Sequence, residues 1–406
     1  MKIAYLAPEI PALSATFVYN EILELEKKGF EIVPLSVHVP ASVATGAAAA
    51  RLAETTYYIY NKSVRVLFQA NITMMLNFPF RYLSTLFMAM SDAVRMGLTT
   101  HIGLGLIYRF LVASHVANIL LRKKCRHLHV HFAHIPADIA MYASKIPGTS
   151  FSFTSHANDL FERGWLLKEK VERAVFSVTI SGHNRRFLAD LGASPQKIHV
   201  VHCGIDAGAF DSRGEKPIEN IPEIGTLGRM VEKKGFDVLI HACEILKKGG
   251  EQFHLTIAGD GPLREDLENL VDALGLAKEV SFPGPIPHHQ VPGWLRSLDL
   301  FALPCRKDRY GDMDGIPVVL MEAMLTGVPV ISTRLSGIPE LVVDGETGCL
   351  ADPDDPEELA ESIAQLLTDR PLRTRLCRKA TQKVQSEFDL SKNVEKLSEL
   401  FKGAMS

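Results

Sequence analysis

The stretch GDMDGIPVVLMEAM at residues 311–324 holds two carboxylates, Asp314 and Glu322, with seven residues between them. Gly315, Ile316 and Pro317 follow the first acid, and the apolar run from Val318 leads to the second. Pro317 suits a first helical turn and the residues after it suit a helix interior, so the spacing predicts a helix there. Asp314 then sits in the loop before the helix, and Glu322 lies inside it. The start of such a helix offers free backbone N–H groups and a positive dipole end, which together suit an anion. An acid within the helix cannot serve that anion. It is placed to accept hydrogen bonds from neutral donors, such as the two hydroxyls of a ribose. The competing reading is a salt-bridged surface glutamate, and the apolar flanks LM and AM argue against it, because a buried carboxylate needs partners.

Three further stretches carry groups of the same kind. In GRMVEKKGFDVLI, Gly228 and Arg229 come off a strand end and Lys233 and Lys234 precede a helix near Phe236. A guanidinium fork and a lysine point charge at such a turn suit a diphosphate, with a solvated basic loop as the alternative. IAGDGPLREDLE brings Gly259 to another strand–turn–helix step; without a third glycine it makes a weak dinucleotide fingerprint. FTSHANDLF ends a strand with His156 and Asp159, either a catalytic histidine at a cleft or a structural one beside a capping acid. In HLHVHFAH, His127, His129 and His131 alternate, which puts them on one strand face at roughly 7 Å steps. That is too far for one ion, and no cysteine or acid stands at ligand spacing, so a metal site is not expected.

The elements that must hold these groups are strands alternating with helices. Strands are expected at 3–8, 31–37, 127–132, 151–156, 176–181 and 198–203, then at 223–229, 254–260, 280–284, 300–305 and 328–333. A helix is expected from about Ala15 to Lys28. The alternation implies parallel sheets covered on both faces, an α/β class. The polar, unpatterned segment 207–222 reads as a linker between an N-terminal domain, 1–206, and a C-terminal domain, 223–385. A final helix near 386–404, within 386–406, is expected to cross back to the first domain. Ligands bind at the carboxyl ends of such strands, so a cleft between the two domains is the expected site.

Bulk properties agree with this. The 406 residues exceed one ordinary core and fit two domains. With 44 basic against 47 acidic residues the net charge is −3, which does not call for nucleic acid as a partner. Six cysteines are scattered singly, a pattern of reduced thiols and a cytosolic setting. No secretory signal is expected from MKIAYLAPEI. Segment 62–122 is rich in Leu, Met, Phe and Val, but charges interrupt it, so a bilayer span is not expected. It reads as packed helices, or else as a surface resting on a membrane through an apolar face and the basic LRKKCR at 121–126.

Taken together, LSATFVYNEI, HVHFAHIPADIA, FTSHANDLF, ISGHNRRFL, VVHCGIDAGAF, GRMVEKKGFDVLI, IAGDGPL, GDMDGIPVVLMEAM and SGIPELV resemble the retaining glycosyltransferases of family 4, of GT-B fold. The resemblance covers essentially the whole chain and is strongest to enzymes of bacterial exopolysaccharide, colanic-acid-type, assembly. It implies two Rossmann-like domains and transfer of a hexose from a nucleoside-diphosphate sugar to a saccharide or polyprenyl-linked acceptor, with no cofactor and no metal. Arg229 and Lys234 would hold the diphosphate and Glu322 the ribose hydroxyls. Asp314 would stand near the donor sugar, where relatives have Glu, and His156 near the reacting carbon. Gly228, Gly259, Gly315, Ile316, Pro317 and Val318 complete the implied donor site. The loop PEIPALSATF lacks the Gly-Gly of many relatives; either Ser14 and Thr16 act as donors there or the acceptor approaches there.

The same resemblance implies departure of a nucleoside diphosphate stabilised by cations and a helix dipole. No certain carboxylate nucleophile is visible, so same-face attack through an oxocarbenium-like state is the expected course. A non-catalytic binding module would lack Glu322, Arg229 or Lys234, and all are present. A hydrolysing epimerase needs a further acid or base around the sugar, and a dehydrogenase is disfavoured by the glycine pattern. Contact with the cytoplasmic membrane face through 62–126 is expected.

Overall fold

The computed structural model describes residues 1–12, 16–40, 46–210 and 221–405. It divides into two compact units, Met1–Gly204 with Asn393–Ser406, and Ile205–Lys392.

The first unit is built on strands β1 (Lys2–Glu9), β2 (Glu31–His38), β3 (Tyr57–Tyr58), β4 (His127–His131), β5 (Ser150–Ser155), β6 (Phe176–Thr179) and β7 (Ile198–Val200). They form one parallel sheet in the order β3-β2-β1-β4-β5-β6-β7. Ile3 to Ala7 are all buried, the continuous apolar run of a strand covered on both faces. The second unit uses β8 (Glu223–Leu227), β9 (His254–Ala258), β10 (Val280–Gly284), β11 (Leu300–Ala302), β12 (Val330–Thr333) and β13 (Cys349–Ala351). Its parallel order is β10-β9-β8-β11-β12-β13. In each sheet the order reverses once, between β1 and β4 and between β8 and β11. The loops leaving those strands flank the crevice where open α/β sheets bind ligands.

The three histidines of β4 are satisfied from the neighbouring strand. His127 faces Ser150 Oγ and Ser152 Oγ, both at 2.7 Å, while His129 faces Ser152 Oγ at 2.7 Å and Thr154 Oγ1 at 3.0 Å. Phe401, on the helix Leu390–Met405, covers this polar ladder with ring centroids 5.6 Å from His127 and 5.0 Å from His129. The period-two spacing thus serves cross-strand hydrogen bonding inside a closed layer.

Two sequence expectations need correction. The terminal helix does not start near residue 386: one helix ends at Glu387 and another runs Leu390–Met405. Ile205 makes backbone bonds to Phe388 O (2.9 Å) and from Leu390 N (3.0 Å) at the break. Asp389 Oδ1 accepts from Lys392 N at 2.9 Å, capping the second helix. Segment 62–122 forms helices Val64–Asn77, Pro79–Arg95 and His101–Lys123, and the last is long and apolar enough to cross a membrane by length and composition. Arg109 was expected to interrupt it, but pairs internally with Asp138 at 3.1 Å. More than half of the helix's apolar window is buried, with Leu106, Phe110, Val112 and Val116 in the core. Of the segment 207–222, residues 211–220 lie outside the described residues.

Candidate active site

Three loops meet at the carboxyl ends of β8, β9 and β11. Met230 N donates to Asp260 O at 2.9 Å, and Arg306 N donates to Lys233 O at 3.0 Å, so the loops are tied by backbone. Gly259 has φ +124°, and a Cβ there would lie 1.9 Å from Gly228 O. Two chain segments cross at van der Waals distance, and only glycine permits it. At Gly235 (φ +65°) a Cβ would lie 2.0 Å from Pro304 O, which sets the entry to the helix Phe236–Lys248.

On this base sit four charges in pairs. Lys234 Nζ is 2.6 Å from Asp314 Oδ2, and Lys233 Nζ is 2.8 Å from Asp312 Oδ2 and 3.4 Å from Asp314 Oδ1. Cys305 Sγ donates to Asp314 Oδ2 at 3.6 Å. Burial works to raise the Asp314 pKa, but Lys234 and Lys233 outweigh it and hold the carboxyl below the usual carboxylate range. For Lys234 burial works downward, Asp314 works upward, and the net shift is upward. Both groups are therefore charged at neutral pH. Arg229 is exposed, and its guanidinium has no hydrogen-bond or ion-pair partner among the described residues.

Gly315, Ile316 and Pro317 are buried and lead into the helix Val318–Leu325, with Pro317 as its N-cap rather than in its first turn. Val318 and Val319 are half-buried at its start. Glu322 is 7% exposed, among Leu320, Met321, Ala323 and Met324, which are fully buried. Its partner is His288, whose Nε2 lies 3.7 Å from Oε1, a loose contact. The Glu322 carboxylate raises the His288 pKa above that of a free imidazole. Among the described residues this buried acid thus has one side-chain partner, held at a distance.

In the first unit His156 follows β5 and is 7% exposed. Its backbone N donates to Asp159 Oδ1 at 2.9 Å, and Asp159 Oδ2 also accepts from Ala133 N at 2.6 Å. Burial pushes the Asp159 carboxyl up to about 6 against these bonds. Burial, then the neighbouring His131 and His134, push the His156 imidazole well below its ordinary value, so the ring is neutral. His131, at the end of β4, meets His156 Nε2 through Nδ1 at 3.1 Å. The rings of Phe17 and Phe132 lie 4.7 and 4.6 Å from the His156 ring. Thr16 opens the helix Thr16–Lys27, while Ser14 lies outside the described residues.

The structure thus brings Gly228, Arg229, Lys234, Gly259, Asp314 to Val318 and Glu322 to one strand-end region, and His156 to the corresponding strand ends of the first unit. Sequence reasoning missed the Asp312–Lys233 pair, His288 and the histidine partner His131. It also placed the β4 histidines too far apart for one ion and saw no acid at ligand spacing to reach them. Glu21, from the helix Thr16–Lys27, does: it offers an oxygen within 4.8 Å of ligand atoms on His129 and His131. These nitrogens already face hydrogen-bond partners, and Glu21 Oε1 is 3.0 Å from His131 Nε2. No local spacing signals this, because 110 residues separate the two.

Residues 210–383 match the family model for glycosyl transferases group 1. The chain is 36% identical over 238 residues to a protein of Salmonella typhimurium named for colanic acid biosynthesis glycosyltransferase WcaL, covering 58% of this chain and 56% of that one. It is 35% identical over 213 residues to the amylovoran biosynthesis glycosyltransferase AmsK of Erwinia amylovora, covering 52% of each. The match thus spans about half the length of these relatives. Among solved structures, a glycosyltransferase from Rickettsia africae superposes with a TM-score of 0.71 at 18% identity, over 100% of this chain and 99% of that one. Anabaena Alr3699/HepE in complex with UDP-glucose gives 0.71 at 17% identity, over 99% of this chain and 100% of that one. The chain has the GT-B fold of these structures, and its residues 210–383 match the glycosyl transferases group 1 family.

Proposed function

We propose that the protein transfers a hexose from a nucleoside-diphosphate sugar to a saccharide acceptor during assembly of an exopolysaccharide. The observation that carries this is the strand-end region of the second unit. It sets an Arg229 side chain unpartnered among the described residues, a paired Lys234 and the start of the helix Val318–Leu325 beside a buried Glu322 whose partner is 3.7 Å away. Cations and helix N–H groups suit a diphosphate, and a buried acceptor suits ribose hydroxyls. The relatives named for colanic acid and amylovoran biosynthesis support the pathway class, and the neighbour solved with UDP-glucose supports the donor class.

In this reading Arg229 and Lys234 stabilise the charge that grows on the leaving diphosphate as the C1–O bond breaks. Asp314, fixed by Lys234, serves the donor sugar, and His156 of the first unit is the group assigned near the reacting carbon. Both Asp314 oxygens are engaged by lysines, which supports a positioning role over that of a nucleophile and favours retention by same-face attack. Because protein cations take the place of an ion, transfer is expected to continue in excess chelator. The test is a screen of nucleoside-diphosphate sugars for binding, followed by transfer to saccharide and polyprenyl-linked acceptors, with the product's anomeric configuration read by NMR. Activity lost to chelator and restored by Mg²⁺ would refute the metal-free part. Release of free sugar with every acceptor would favour a hydrolase or epimerase.

The expected membrane contact belongs to this proposal, with its surface relocated. The helix His101–Lys123 is largely core, and Lys123 of the basic run lies over the Tyr57 ring at 5.2 Å. The exposed apolar residues are concentrated on the two helices before it. Phe80 (87% exposed), Leu83, Phe87 (75%), Met90 and Val94 recur at steps of three and four along Pro79–Arg95, and Phe68 and Leu76 are exposed on Val64–Asn77. The one carboxylate on either helix, Asp92, is buried against Arg173, whereas Arg65, Arg81 and Arg95 are exposed. An apolar stripe flanked by the exposed Arg65 and Arg81, with Arg95 paired to Glu169, suits an anionic lipid surface. Flotation with anionic vesicles is expected to retain the protein at high salt, and Phe80→Ser with Phe87→Ser to release it. Recovery in the soluble fraction at every salt, or self-association of the vesicle-free protein through this face in sedimentation, would overturn the assignment.

A further inference from the structure

The four side chains Glu21, Tyr5, His131 and His156 come from four separate segments and meet in the first unit. Glu21 lies on the helix Thr16–Lys27, Tyr5 on β1 and His131 at the end of β4, while His156 follows β5. Glu21 Oε1 is 3.0 Å and Tyr5 Oη 2.8 Å from His131 Nε2. His131 Nδ1 is 3.1 Å from His156 Nε2, and Cys203 Sγ is 3.9 Å from His156 Nδ1. Tyr5 and His131 are essentially inaccessible to water.

The proton count along this chain is constrained. A carboxylate only accepts, so Glu21 requires a proton on His131 Nε2, and Tyr5 Oη, 2.8 Å from the same nitrogen, then stands as a second acceptor of that N–H. With Nε2 carrying the one proton of the ring, Nδ1 is bare and must accept. Nδ1 meets His156 Nε2, so that nitrogen carries the proton, and the second nitrogen of the neutral His156, Nδ1, is left as a lone pair. The group facing that lone pair is the Cys203 thiol, a weak donor that a sugar hydroxyl readily outcompetes.

We propose that Glu21 and His131 are positioning residues that hold His156 in its Nε2–H tautomer, so that Nδ1 stands as a fixed acceptor for a hydroxyl of the donor sugar. This rests on the proposed glycosyl transfer and on His156 as its sugar-side group. No proton is transferred in this role: the carboxylate fixes one imidazole, which fixes the next, before substrate arrives.

The experiment combines activity with a direct reading of the tautomers. In the full chain with ¹⁵N-labelled histidine, NMR is expected to show His131 and His156 both as Nε2–H; finding His156 as Nδ1–H overturns the proposal whatever the activity. Glu21→Ala is expected to lower kcat about 10- to 100-fold, the usual range for losing such an outer partner, with nucleoside-diphosphate affinity unchanged. Glu21→Gln keeps an acceptor oxygen and is expected to restore most of the rate. An unchanged kcat in Glu21→Ala, with a folded protein, overturns the relay alone. A wild-type protein that neither binds nucleoside diphosphates nor transfers sugar overturns the enzymatic reading instead, and the NMR result still decides the tautomer.

Discussion

Glu322→Ala is expected to weaken nucleoside-diphosphate binding by at least about 30-fold while leaving the ligand-free protein as stable as before, or more so. The first half follows from the two ribose hydroxyls, each of which would lose its acceptor at roughly 1–3 kcal/mol. The second half follows from the state of Glu322 without ligand. It is 7% exposed on an apolar helix, with His288 at 3.7 Å as its ion-pair partner. A carboxylate so placed is poorly compensated, and removing it relieves its desolvation. A residue kept for structure would show the opposite pairing. Calorimetric titration with a nucleoside diphosphate and a thermal melt of the same sample decide between them. A melting temperature several degrees lower with affinity intact would sink the ribose assignment.

Mild acid is expected to unfold the first unit well before the second. Burial pushes the His127 and His134 imidazoles down to about 3, and lowers His129 and His156 well below the ordinary value. Above the unfolded histidine pKa of about 6.5 these rings are neutral in both states and cost nothing. Below it the unfolded chain takes up protons that the fold refuses. Each such histidine then removes about 1.4 kcal/mol of stability per pH unit, down to the folded value. Asp159, raised to about 6, acts in the opposite direction between that value and its ordinary range, and offsets about one histidine. Among the described residues, the one resolved histidine shift in the second unit is the upward one at His288. Urea unfolding followed by hydrogen exchange at pH 7.5 and 5.5 reads each unit separately. Equal sensitivity of the two units, or loss of the second one first, would refute the assignment.

What the sequence could reveal was what lies close along the chain. Strands such as Lys2–Glu9 and Glu223–Leu227 announce themselves as apolar runs, and the loop after the second carries Arg229, Lys233 and Lys234 within a few residues. The edge strands Tyr57–Tyr58 and Cys349–Ala351 did not, because two or three residues hold no period to read. The acidic stretch gave both carboxylates and their helix, but not that Lys234, 80 residues away, would already hold Asp314. The acid beside the histidine strand went unseen for the same reason: Glu21 is remote in sequence and adjacent in space. Pairings of this kind follow from strand order, which local pattern does not fix.

The lysine–aspartate quartet of Lys233, Lys234, Asp312 and Asp314 has a kinetic meaning as well. Two cations and two anions within hydrogen-bond reach present almost no net field to solution. On the proposed function, an approaching donor would therefore be drawn in by the exposed side chains that stay unpaired among the described residues, Arg229 and Lys307. Capture and retention are then separate events. Ionic strength acts on the first, since long-range attraction between exposed charges is screened within about 8 Å at physiological salt. The second requires Lys234 to exchange a carboxylate for a phosphate in a site partly closed to water, where screening is weak. On that reading a simple anion such as inorganic phosphate would be captured but would gain too little to drive the exchange, and the quartet would act as a filter on residence time that favours ligands also anchored at Glu322.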